Sequence, residues 1–330
     1  MKAAKLSAFG VPADVVECID LAEPEAPNAD QVVVAIDAAP INPAELLLIE
    51  GRYAYQPNLP TLLGLEGVGT VVAVGERVRH LARGDRVMSL GMQNWAELVV
   101  LDASQAIKLP AGIDPQQASM LKVNPATAYL MLTTYVDLSA GDWLIQNAAN
   151  SGVGLCLIRL AKSKGIRTVN IVRRDSLIAP LQKQGADVVL VDGDDLAERV
   201  QQATAAAPIK LAIDAVAGAA TQRLASCLAE SGVIVNYGLL SGEDCRLSPD
   251  QLVFRDISLS GFWLARALRG ATAEALGDLY ATLTQLLIDK TLHVPIEAVY
   301  PLEDIKQALA HAGRESRSGK ILLAPNASRT

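Results

Sequence analysis

The segment of residues 143–174, WLIQNAANSGVGLCLIRLAKSKGIRTVNIVRR, constrains the fold of this 330-residue chain more than any other. Its apolar run Trp143–Asn147 predicts a buried strand, and the small residues that follow, up to Gly154, predict a tight turn. The next residues have the apolar face of an amphipathic helix, which should end at Gly165 because glycine favours helix ends. The β-branched run Thr168–Val172 predicts a buried parallel strand. The segment is therefore predicted to form a strand–turn–helix–strand unit.

The turn of this unit predicts a dinucleotide site, because the first N–H groups of a helix and its positive dipole end attract phosphate. A strict G-x-G-x-x-G is absent, and the nearest spacing is Ala148, Ser151 and Gly154. An acidic residue about twenty positions further on would bind a ribose 2′-hydroxyl. Arg173 and Arg174 stand there instead and suit a 2′-phosphate. The sequence therefore favours NADP(H), and the alternative is a unit of this kind that binds no ligand.

The chain from about Asp114 to Leu264 alternates apolar strands with helical patterns. Such alternation is typical of an α/β domain with a parallel sheet and helices on both faces. We therefore predict a Rossmann-type, doubly wound sheet in this region. Its six predicted strands are Trp143–Asn147, Thr168–Val172, Val188–Val191, Leu211–Val216, Val233–Tyr237 and Leu259–Leu264.

The flanking regions have a different pattern. Residues 1 to about 108 contain short β-branched runs separated by glycine, proline and asparagine, which predict a twisted or barrel-like sheet. The elements predicted for the tail are a helix over Ala273–Asp289, a strand around Ala298–Tyr300, a short helix over Leu302–His311 and a strand over Lys320–Leu323. Since this tail is too small for a domain of its own, we predict a mostly β domain of residues 1–113, completed by 265–330, and a second domain of residues 114–264.

Composition sets limits on function. Acidic residues exceed basic ones by 36 to 29, and the resulting net charge of −7 disfavours nucleic acid or an anionic membrane as the main partner. No apolar run reaches the length of a membrane span. The four cysteines, Cys18, Cys156, Cys227 and Cys245, are widely spaced and favour free thiols. With no signal or transit segment before the first predicted strand, we expect a cytoplasmic protein.

Candidate residues for metal binding or nucleophilic catalysis are few. The three histidines, His80, His293 and His311, have no Cys, Asp or Glu at metal-ligand spacing, so no metal site is predicted. A G-x-S-x-G elbow is absent, and no cysteine has a basic neighbour that would activate it.

Two residues of the Pro/Gly-rich stretch 41–75 could take part in proton transfer. The Tyr53 hydroxyl has an ordinary pKa near 10, so it stays protonated at neutral pH and can act as an acid. The alternative is that its ring packs and its hydroxyl bonds to backbone. Glu66 is either an acid/base or a structural carboxylate that accepts backbone N–H groups.

Nine short motifs stand in a characteristic order along the chain. They are INPAE, GRYAY-x-P, GLEGVGTVVAVG, GDRV, VNPATAY, GDWLIQNAANSGVG, VNIVRR, GFWL and GKILL. In this order the chain resembles the medium-chain dehydrogenase/reductases over nearly its whole length, and within them the 2-enoyl thioester reductases. These are the NADPH-dependent trans-2-enoyl-CoA/ACP reductases of the mitochondrial fatty-acid synthesis type. VNPATAY and IQNAANSGVG are the most specific motifs, because quinone oxidoreductases, the next nearest group, usually differ there. The resemblance implies a GroES-like first domain and a Rossmann NADP(H)-binding second domain.

The resemblance also implies roles for individual residues. Tyr53 matches the catalytic tyrosine of the family. Arg173 and Arg174 match a clamp on the 2′-phosphate, in agreement with the prediction made from the strand–turn–helix–strand unit. The other residues implied in binding NADP(H) are Asn124, Asn150, Ser151, Gly152, Val153, Tyr237, Gly238, Phe262, Trp263, Leu264 and Lys320. For the three residues 262–264, packing in the core or in a dimer is the alternative, and both roles can coexist.

One position departs from the family patterns. Zinc-dependent members carry an early cysteine ligand and a Gly-His-Glu sequence, whereas Gly64-Leu65-Glu66 stands here and lacks the histidine. The enoyl reductases usually read Gly-Asn-Glu-Gly, so Leu65 differs from them as well. The resemblance therefore implies a zinc-independent enzyme.

The activity implied by the resemblance is NADPH-dependent reduction of the C=C bond of an α,β-unsaturated carbonyl compound, above all a trans-2-enoyl thioester of CoA or acyl carrier protein. Hydride would reach the β-carbon, and Tyr53 would protonate the α-carbon. The alternatives are an NADPH:quinone oxidoreductase and a non-catalytic NADPH-binding protein. Expected partners are the enoyl thioester or a related enone, acyl carrier protein, and a second copy of the chain paired through the Leu259–Leu264 strand. Neither nucleic acid nor a membrane is expected.

Overall fold

A computed structural model describes residues 1–315 and 317–326 of the chain. Its strands are β1 (Lys2–Leu6), β2 (Val16–Asp20), β3 (Gln31–Pro40), β4 (Thr61–Leu62), β5 (Gly67–Val74), β6 (Arg86–Ser89), β7 (Leu98–Asp102), β8 (Ala106–Lys108), β9 (Trp143–Gln146), β10 (Arg167–Val172), β11 (Val188–Val191), β12 (Ile209–Asp214), β13 (Val233–Asn236), β14 (Ser258–Gly261), β15 (Ile296–Pro301) and β16 (Lys320–Ala324).

The α-helices are α1 (Pro12–Val15), α2 (Pro43–Ile49), α3 (Pro115–Ala118), α4 (Asn124–Thr134), α5 (Gly152–Ser163), α6 (Ile178–Lys183), α7 (Leu196–Ala203), α8 (Ala219–Cys227), α9 (Leu264–Arg269), α10 (Ala273–Ile288) and α11 (Ile305–Ala312). Short 3₁₀ turns lie at Ala103–Gln105, Asp175–Leu177 and Leu302–Asp304, and a π turn lies at Asp250–Phe254. In the part of the chain described, no helix has the length and apolar character needed to cross a membrane.

The chain divides into two compact units. The first comprises Met1–Val123, Gly277–Ile288 and His293–Thr330, and the second comprises Asn124–Leu276 and Asp289–Leu292. This division differs from the predicted one, in which the first domain ends at residue 113. Residues 114–123 stay with the first unit because the Gln117 amide exchanges two hydrogen bonds with the backbone of Val294, at 2.9 and 3.0 Å.

The first unit is built on two sheets. The larger has the order β15-β16-β3-β5-β6-β8, with β7 also paired to β3, and the smaller has the order β2-β1-β4. The neighbours in the larger sheet are antiparallel except for the parallel pair β15 and β16. The late strand β16 joins the sheet by pairing Leu322 with Pro40 and Leu323 with Ala39. Residues from both ends of the sequence therefore form one sheet.

The core of the first unit contains the fully buried Trp95, packed with Leu6, Ile36 and Ile41. The indole N–H of Trp95 donates to the carbonyl of Pro40 at 3.2 Å, so its polar end is satisfied despite burial. The end of β3 is thereby tied to the core, and the next residues lead directly into α2.

The second unit is built on a six-stranded parallel sheet with the order β11-β10-β9-β12-β13-β14. Each of the six predicted strands is present, and the predicted doubly wound α/β fold is confirmed. The chain runs outward from β9 to β11 and then returns to place β12 beside β9. The carboxyl ends of β9 and β12 are therefore the point where the strand order reverses, which is where open α/β sheets bind ligands.

Several predicted strand boundaries are displaced by one or two residues, and the largest error is at the end of β14. The predicted strand Leu259–Leu264 ends at Gly261, and Leu264 is the first residue of α9. The N–H of Phe262 donates to the carbonyl of Asn236 at 2.8 Å, after which the chain leaves the sheet. The apolar run FWL continues through this change of direction, because a short apolar run does not distinguish a strand from the start of a helix.

Candidate functional site

The turn between β9 and α5 is held in shape by its own residues. Ala148 has a positive φ of 45°, and its carbonyl accepts the N–H of Ser151 at 2.9 Å. Ser151 caps α5, and its hydroxyl accepts the N–H of Gly154 at 3.1 Å. A capped helix start of this kind presents N–H groups and the positive end of the helix dipole to an anion.

Two glycines of the turn have separate roles. A Cβ at Gly154 would lie 2.5 Å from the carbonyl oxygen of Ala149, so only glycine allows the turn to close there. A Cβ at Gly152 would lie 2.9 Å from Nδ2 of the buried Asn124. Gly152 therefore lets the Asn124 amide, at the start of α4, lie against the start of α5. These two predicted cofactor residues are in contact, although the strict glycine fingerprint is absent.

A buried carboxylate joins the strands at the reversal point of the sheet. Asp214 ends β12 and is fully buried. Its donors are the side chains of Asn147, Thr221 and Asn236 and the backbone N–H groups of Val216 and Ala217, at 2.6–3.2 Å. Asn147 in turn accepts the N–H of Ala215 at 2.7 Å. One charge therefore fixes the loops that follow β9, β12 and β13, as charge-assisted hydrogen bonds do well.

Sequence reasoning did not single out Asp214. The available signal was an acidic residue at the end of a buried apolar strand, in LAIDAV. A carboxylate at such a position needs several donors, because burying a charge without partners is very costly.

The other predicted cofactor residues of the second unit follow the carboxyl ends of its strands. Arg173 and Arg174 come directly after β10 and are exposed, as is Asn150 after β9. Tyr237 and Gly238 come after β13, and Phe262, Trp263 and Leu264 come after β14. Since the sheet is parallel, these residues share one edge of it. Val153 is buried in the first turn of α5.

Tyr237 links two of these loops. Its phenol bonds to the side chain of Ser151, and burial raises the pKa of the phenol above its ordinary value. The hydroxyl is therefore protonated at neutral pH and can donate. Gly238 lies close to β12, since a Cβ there would be 2.6 Å from the carbonyl oxygen of Ala215.

Tyr53 lies in the first unit, in the loop that follows α2. Its ring is half-buried against the apolar core, whereas the neighbouring Tyr55 is exposed. The loop is closed by hydrogen bonds from Arg52 N to Leu47 O and from the Gln56 amide to Gly51 O, both at 2.8 Å. The predicted acid therefore stands on a backbone that is fixed to the end of α2.

A buried cluster of charged residues lies at the start of α2. Glu66 accepts the Asn42 amide at Oε1 and the N–H of Val123 at Oε2, both at 2.8 Å. Glu45 accepts the N–H of Asn42 at 2.7 Å and that of Leu65 at 2.9 Å. Glu66 therefore accepts one backbone N–H, as expected of a structural carboxylate, together with one side-chain amide.

Two ammonium groups belong to the same cluster. Lys320 donates to the side-chain oxygen of Asn42 and to the carbonyl of Ile41. Lys122 donates to the carbonyls of three residues, Leu65, Leu90 and Gly91. Lys320, predicted as a cofactor contact, is thus placed beside Asn42 in the first unit.

Sequence reasoning missed three members of this cluster, Asn42, Glu45 and Lys122. The spacing N-P-A-E is a capping-box signature and could have revealed the first two. Lys122 gave no comparable signal, because one lysine in an apolar run shows nothing of its partners.

Burial raises the pKa values of the two carboxyl groups of this cluster and lowers that of Lys122. It raises the pKa of Glu45 to about 7, with the nearby Glu66 adding to the shift. Burial also raises the pKa of Glu66, against the opposing charges of Lys320 and Lys122. For Lys122, burial lowers the pKa to about 8. Each shift has the same cause, because the protein interior solvates charge poorly and so destabilises the charged form.

Two known families together match most of the chain. Residues 28–111 match the family described as alcohol dehydrogenase GroES-like domain, and residues 152–281 match the family described as zinc-binding dehydrogenase. The chain is 36% identical over 321 residues to the mitochondrial enoyl-acyl-carrier-protein reductase of Homo sapiens, covering 95% of this chain and 86% of the human one.

Solved structures of quinone oxidoreductases have the same fold. The Escherichia coli quinone oxidoreductase complexed with NADPH superposes with a TM-score of 0.89 at 25% identity, covering 98% of this chain and 100% of the other. The quinone oxidoreductase of Pseudomonas syringae pv. tomato gives a TM-score of 0.88 at 27% identity, covering 98% and 99%.

The residues of this chain do not fit the zinc ion named in one family description. Among residues 1–315 and 317–326, no three His, Cys, Asp or Glu side chains come close enough together to hold a metal ion. The two carboxylates of the buried cluster, Glu45 and Glu66, face the ammonium groups of Lys122 and Lys320. A metal cation there would be repelled by both ammonium groups, so we assign no catalytic step to zinc.

The pKa of Glu45 predicts a pH-dependent stability. Because folding raises this pKa from about 4.5 to about 7, the folded state binds more protons than the unfolded state between these values. Wild-type protein should therefore lose about 3 kcal/mol of unfolding free energy relative to Glu45→Gln as the pH rises from 4.5 to 7. Urea denaturation of both proteins at several pH values measures this difference. A difference that stays constant with pH would contradict the raised pKa.

Proposed function

This chain belongs to the enoyl-acyl-carrier-protein reductase family within the medium-chain dehydrogenase/reductases, and on that basis we propose that it reduces the C=C bond of trans-2-enoyl thioesters with NADPH. The observation that carries the proposal is the contact of Asn124 with Gly152 at the capped start of α5. The two residues belong to VNPATAY and IQNAANSGVG, the motifs on which the resemblance to this family rests most, so their contact supports a dinucleotide site there. We further propose a role in fatty acid metabolism.

The residues of the second unit suit NADP(H) in three ways. The start of α5 supplies N–H groups for the pyrophosphate. Arg173 and Arg174, exposed at the end of β10, supply guanidinium groups for a 2′-phosphate. Asn124, Tyr237 and Gly238 supply polar and close-packing surfaces beside the turn. When bound, NADPH supplies the hydride that adds to the β-carbon of the enoyl group.

Tyr53 is the proposed proton donor. Addition to the β-carbon moves negative charge onto the thioester carbonyl oxygen, and the α-carbon then needs a proton. A phenol that is protonated at neutral pH can deliver it, directly or through one water. The half-buried ring and the closed loop around it favour a fixed position for this hydroxyl, which general acid catalysis requires.

A second candidate function is NADPH:quinone reduction, which the similarity to solved quinone oxidoreductases favours. Crotonyl-CoA and a small quinone, assayed side by side with NADPH and with NADH, separate the two functions. Turnover of the thioester with NADPH supports the first, and turnover of the quinone alone supports the second. Comparing CoA with acyl carrier protein as the thiol group tests acyl carrier protein as a partner.

A homodimer joined through β14 is the proposed assembly. β14 is the last strand in the order of the parallel sheet, so its outer edge is available for pairing. The preceding turn exposes Val253 by 70% and Phe254 by 78%. An exposed apolar patch beside a sheet edge is typical of a protein interface. For location we propose the cytoplasm, because none of the four cysteines forms a disulfide.

Tyr53→Phe should lower kcat for crotonyl-CoA by about 10²–10⁴-fold, the usual contribution of a general acid. The Kd for NADPH should stay nearly unchanged, because the substitution removes one hydroxyl from a different unit. Stopped-flow or steady-state kinetics measure kcat, and a fluorescence titration measures the Kd for NADPH. Tyr55→Phe is the matched control and should behave as wild type. Equal kinetics of the Tyr53 variant and wild type would remove Tyr53 from the mechanism.

Replacing Arg173 and Arg174 together by alanine should weaken NADPH binding by about 100-fold or more, since each hydrogen bond to a charged group contributes about 1.5–3 kcal/mol. Binding of NADH should change little, because it has no 2′-phosphate. The matched control removes two positive charges, Lys164 and Arg167, near the opposite end of β10. Isothermal titration with both dinucleotides gives the ratio. Equal losses for NADPH and NADH would disprove the 2′-phosphate assignment.

Phe254→Asp should convert the dimer into a monomer, because an unpaired charge would be buried at the interface. Analytical ultracentrifugation at several protein concentrations measures the mass. Val11→Asp, at a similarly exposed apolar residue of the first unit, should leave the dimer intact. A wild-type monomer, or a Phe254 variant that stays dimeric, would rule out this interface.

A further inference from the structure

Asn42 connects three separate segments of the first unit. Its side-chain amide donates to Glu66 at 2.8 Å, and its side-chain oxygen accepts the ammonium group of Lys320. Its backbone N–H donates to Glu45 at 2.7 Å. Asn42 is only 2% exposed, so these bonds form in an interior where water does not compete for them.

The position of Asn42 in the chain makes these bonds important for Tyr53. Asn42 directly precedes α2, a helix of seven residues that ends just before the loop carrying Tyr53. Leu48 and Ile49 hold α2 on the apolar core, and Arg52 bonds back to the last turn of the helix. In a helix of only two turns, a tilt that moves the first residue also moves the last residue and the loop beyond it.

Glu66 is matched to this position by both of its oxygens. Oε1 accepts the Asn42 amide and Oε2 accepts the N–H of Val123, each at 2.8 Å. A glutamine at position 66 has only one oxygen. It would therefore turn an NH₂ group toward one of these two donors.

We propose that Asn42 and Glu66 are a pair of positioning residues for the proton donor: their hydrogen bond fixes the start of α2 and, through α2, the place of the Tyr53 hydroxyl. This inference rests on the proposed role of Tyr53 in enone reduction. Neither residue transfers a proton itself. A displacement of a reacting group by about 1 Å is enough to cost up to about 100-fold in rate.

Buried charges in this cluster favour a specific geometry over maximal stability. Glu66 has no exposed surface, and the charged groups facing it are Lys320, Lys122 and Glu45. Well-packed apolar residues of similar volume often stabilise a protein at least as well as buried charges do. Directed hydrogen bonds, unlike apolar contacts, fix the orientation of Asn42.

The hydrogen bond can be reversed without changing the charge of the cluster. In the double variant Asn42→Asp with Glu66→Gln, the aspartate would accept from the glutamine NH₂ while its other oxygen accepts Lys320. The glutamine oxygen would still accept the N–H of Val123. In Glu66→Gln alone, two hydrogen-bond donors would face each other. In Asn42→Asp alone, two carboxylates would face each other. Glu17→Gln, at an exposed carboxylate of the same unit, is the matched control.

Turnover of crotonyl-CoA is the first measurement, together with the Kd for NADPH. Each single variant should lower kcat by about 10- to 100-fold with little change in Kd, and the double variant should recover to within about threefold of wild type. A purely structural role would lower the melting temperature without this recovery of kcat. The double variant decides the question even if the single variants cannot be purified. The proposal is overturned if the double variant folds but has a tenfold lower kcat, or if it does not fold. Wild-type kcat in a folded Glu66→Gln variant overturns it as well.

Hydrogen exchange of residues 43–56 is the second measurement and does not depend on any activity. Glu66→Gln should speed exchange in this segment by about tenfold or more and leave residues 143–172 unchanged, because loss of the bond releases only α2 and its loop. Unchanged exchange in residues 43–56 overturns the positioning. If wild-type protein reduces no enone, the proposed function fails, and this exchange experiment still decides whether the pair holds the Tyr53 loop.

Discussion

The carboxylate of Asp214 is the interaction on which the second unit depends most. Hydrogen bonds from Asn147, Thr221, Asn236 and the backbone of its own loop converge on it at the point where the strand order reverses. A charge in the protein interior is tolerated only when donors surround it, so these loops cannot move independently. The capped turn before α5 lies beside this network. This edge of the sheet is therefore already rigid before a ligand binds, and this rigidity lowers the entropy lost on binding.

The buried charged groups of the first unit have a different role, since they anchor the start of α2. In its cluster, Glu45 and Glu66 are balanced by Lys122 and Lys320, so amino-acid side chains alone satisfy the carboxylates. The same cluster anchors Asn42 and with it the helix that leads to Tyr53. Membership of a family whose description names zinc is thus compatible with a chain whose own residues do not suit that ion.

Much of the fold could be predicted from the sequence, because periodicity reports burial directly. The six parallel strands and the turn before α5 follow from apolar runs and small residues. The predicted family is confirmed by relatives such as the human reductase, which is 36% identical over 95% of this chain. The boundary at Gly261 was mispredicted because the apolar run continues past it. Lys122 was missed because its partners are distant in sequence, and a single sequence contains no record of such pairs. The same holds for the bonds of Asp214 to Asn147 and Asn236. The roles predicted for Tyr53, Arg173 and Arg174 stay predictions until they are measured.

The pairing of β16 with β3 has a consequence for how the protein forms. These strands are separated by some 280 residues, so the larger sheet of the first unit closes only by a contact of very high sequence separation. Residues 124–276 of the second unit, by contrast, are continuous in sequence. Contacts between distant residues form slowly because a long loop must first be closed. During synthesis the second unit is expected to fold first, because β3 can pair with β16 only after β16 has left the ribosome.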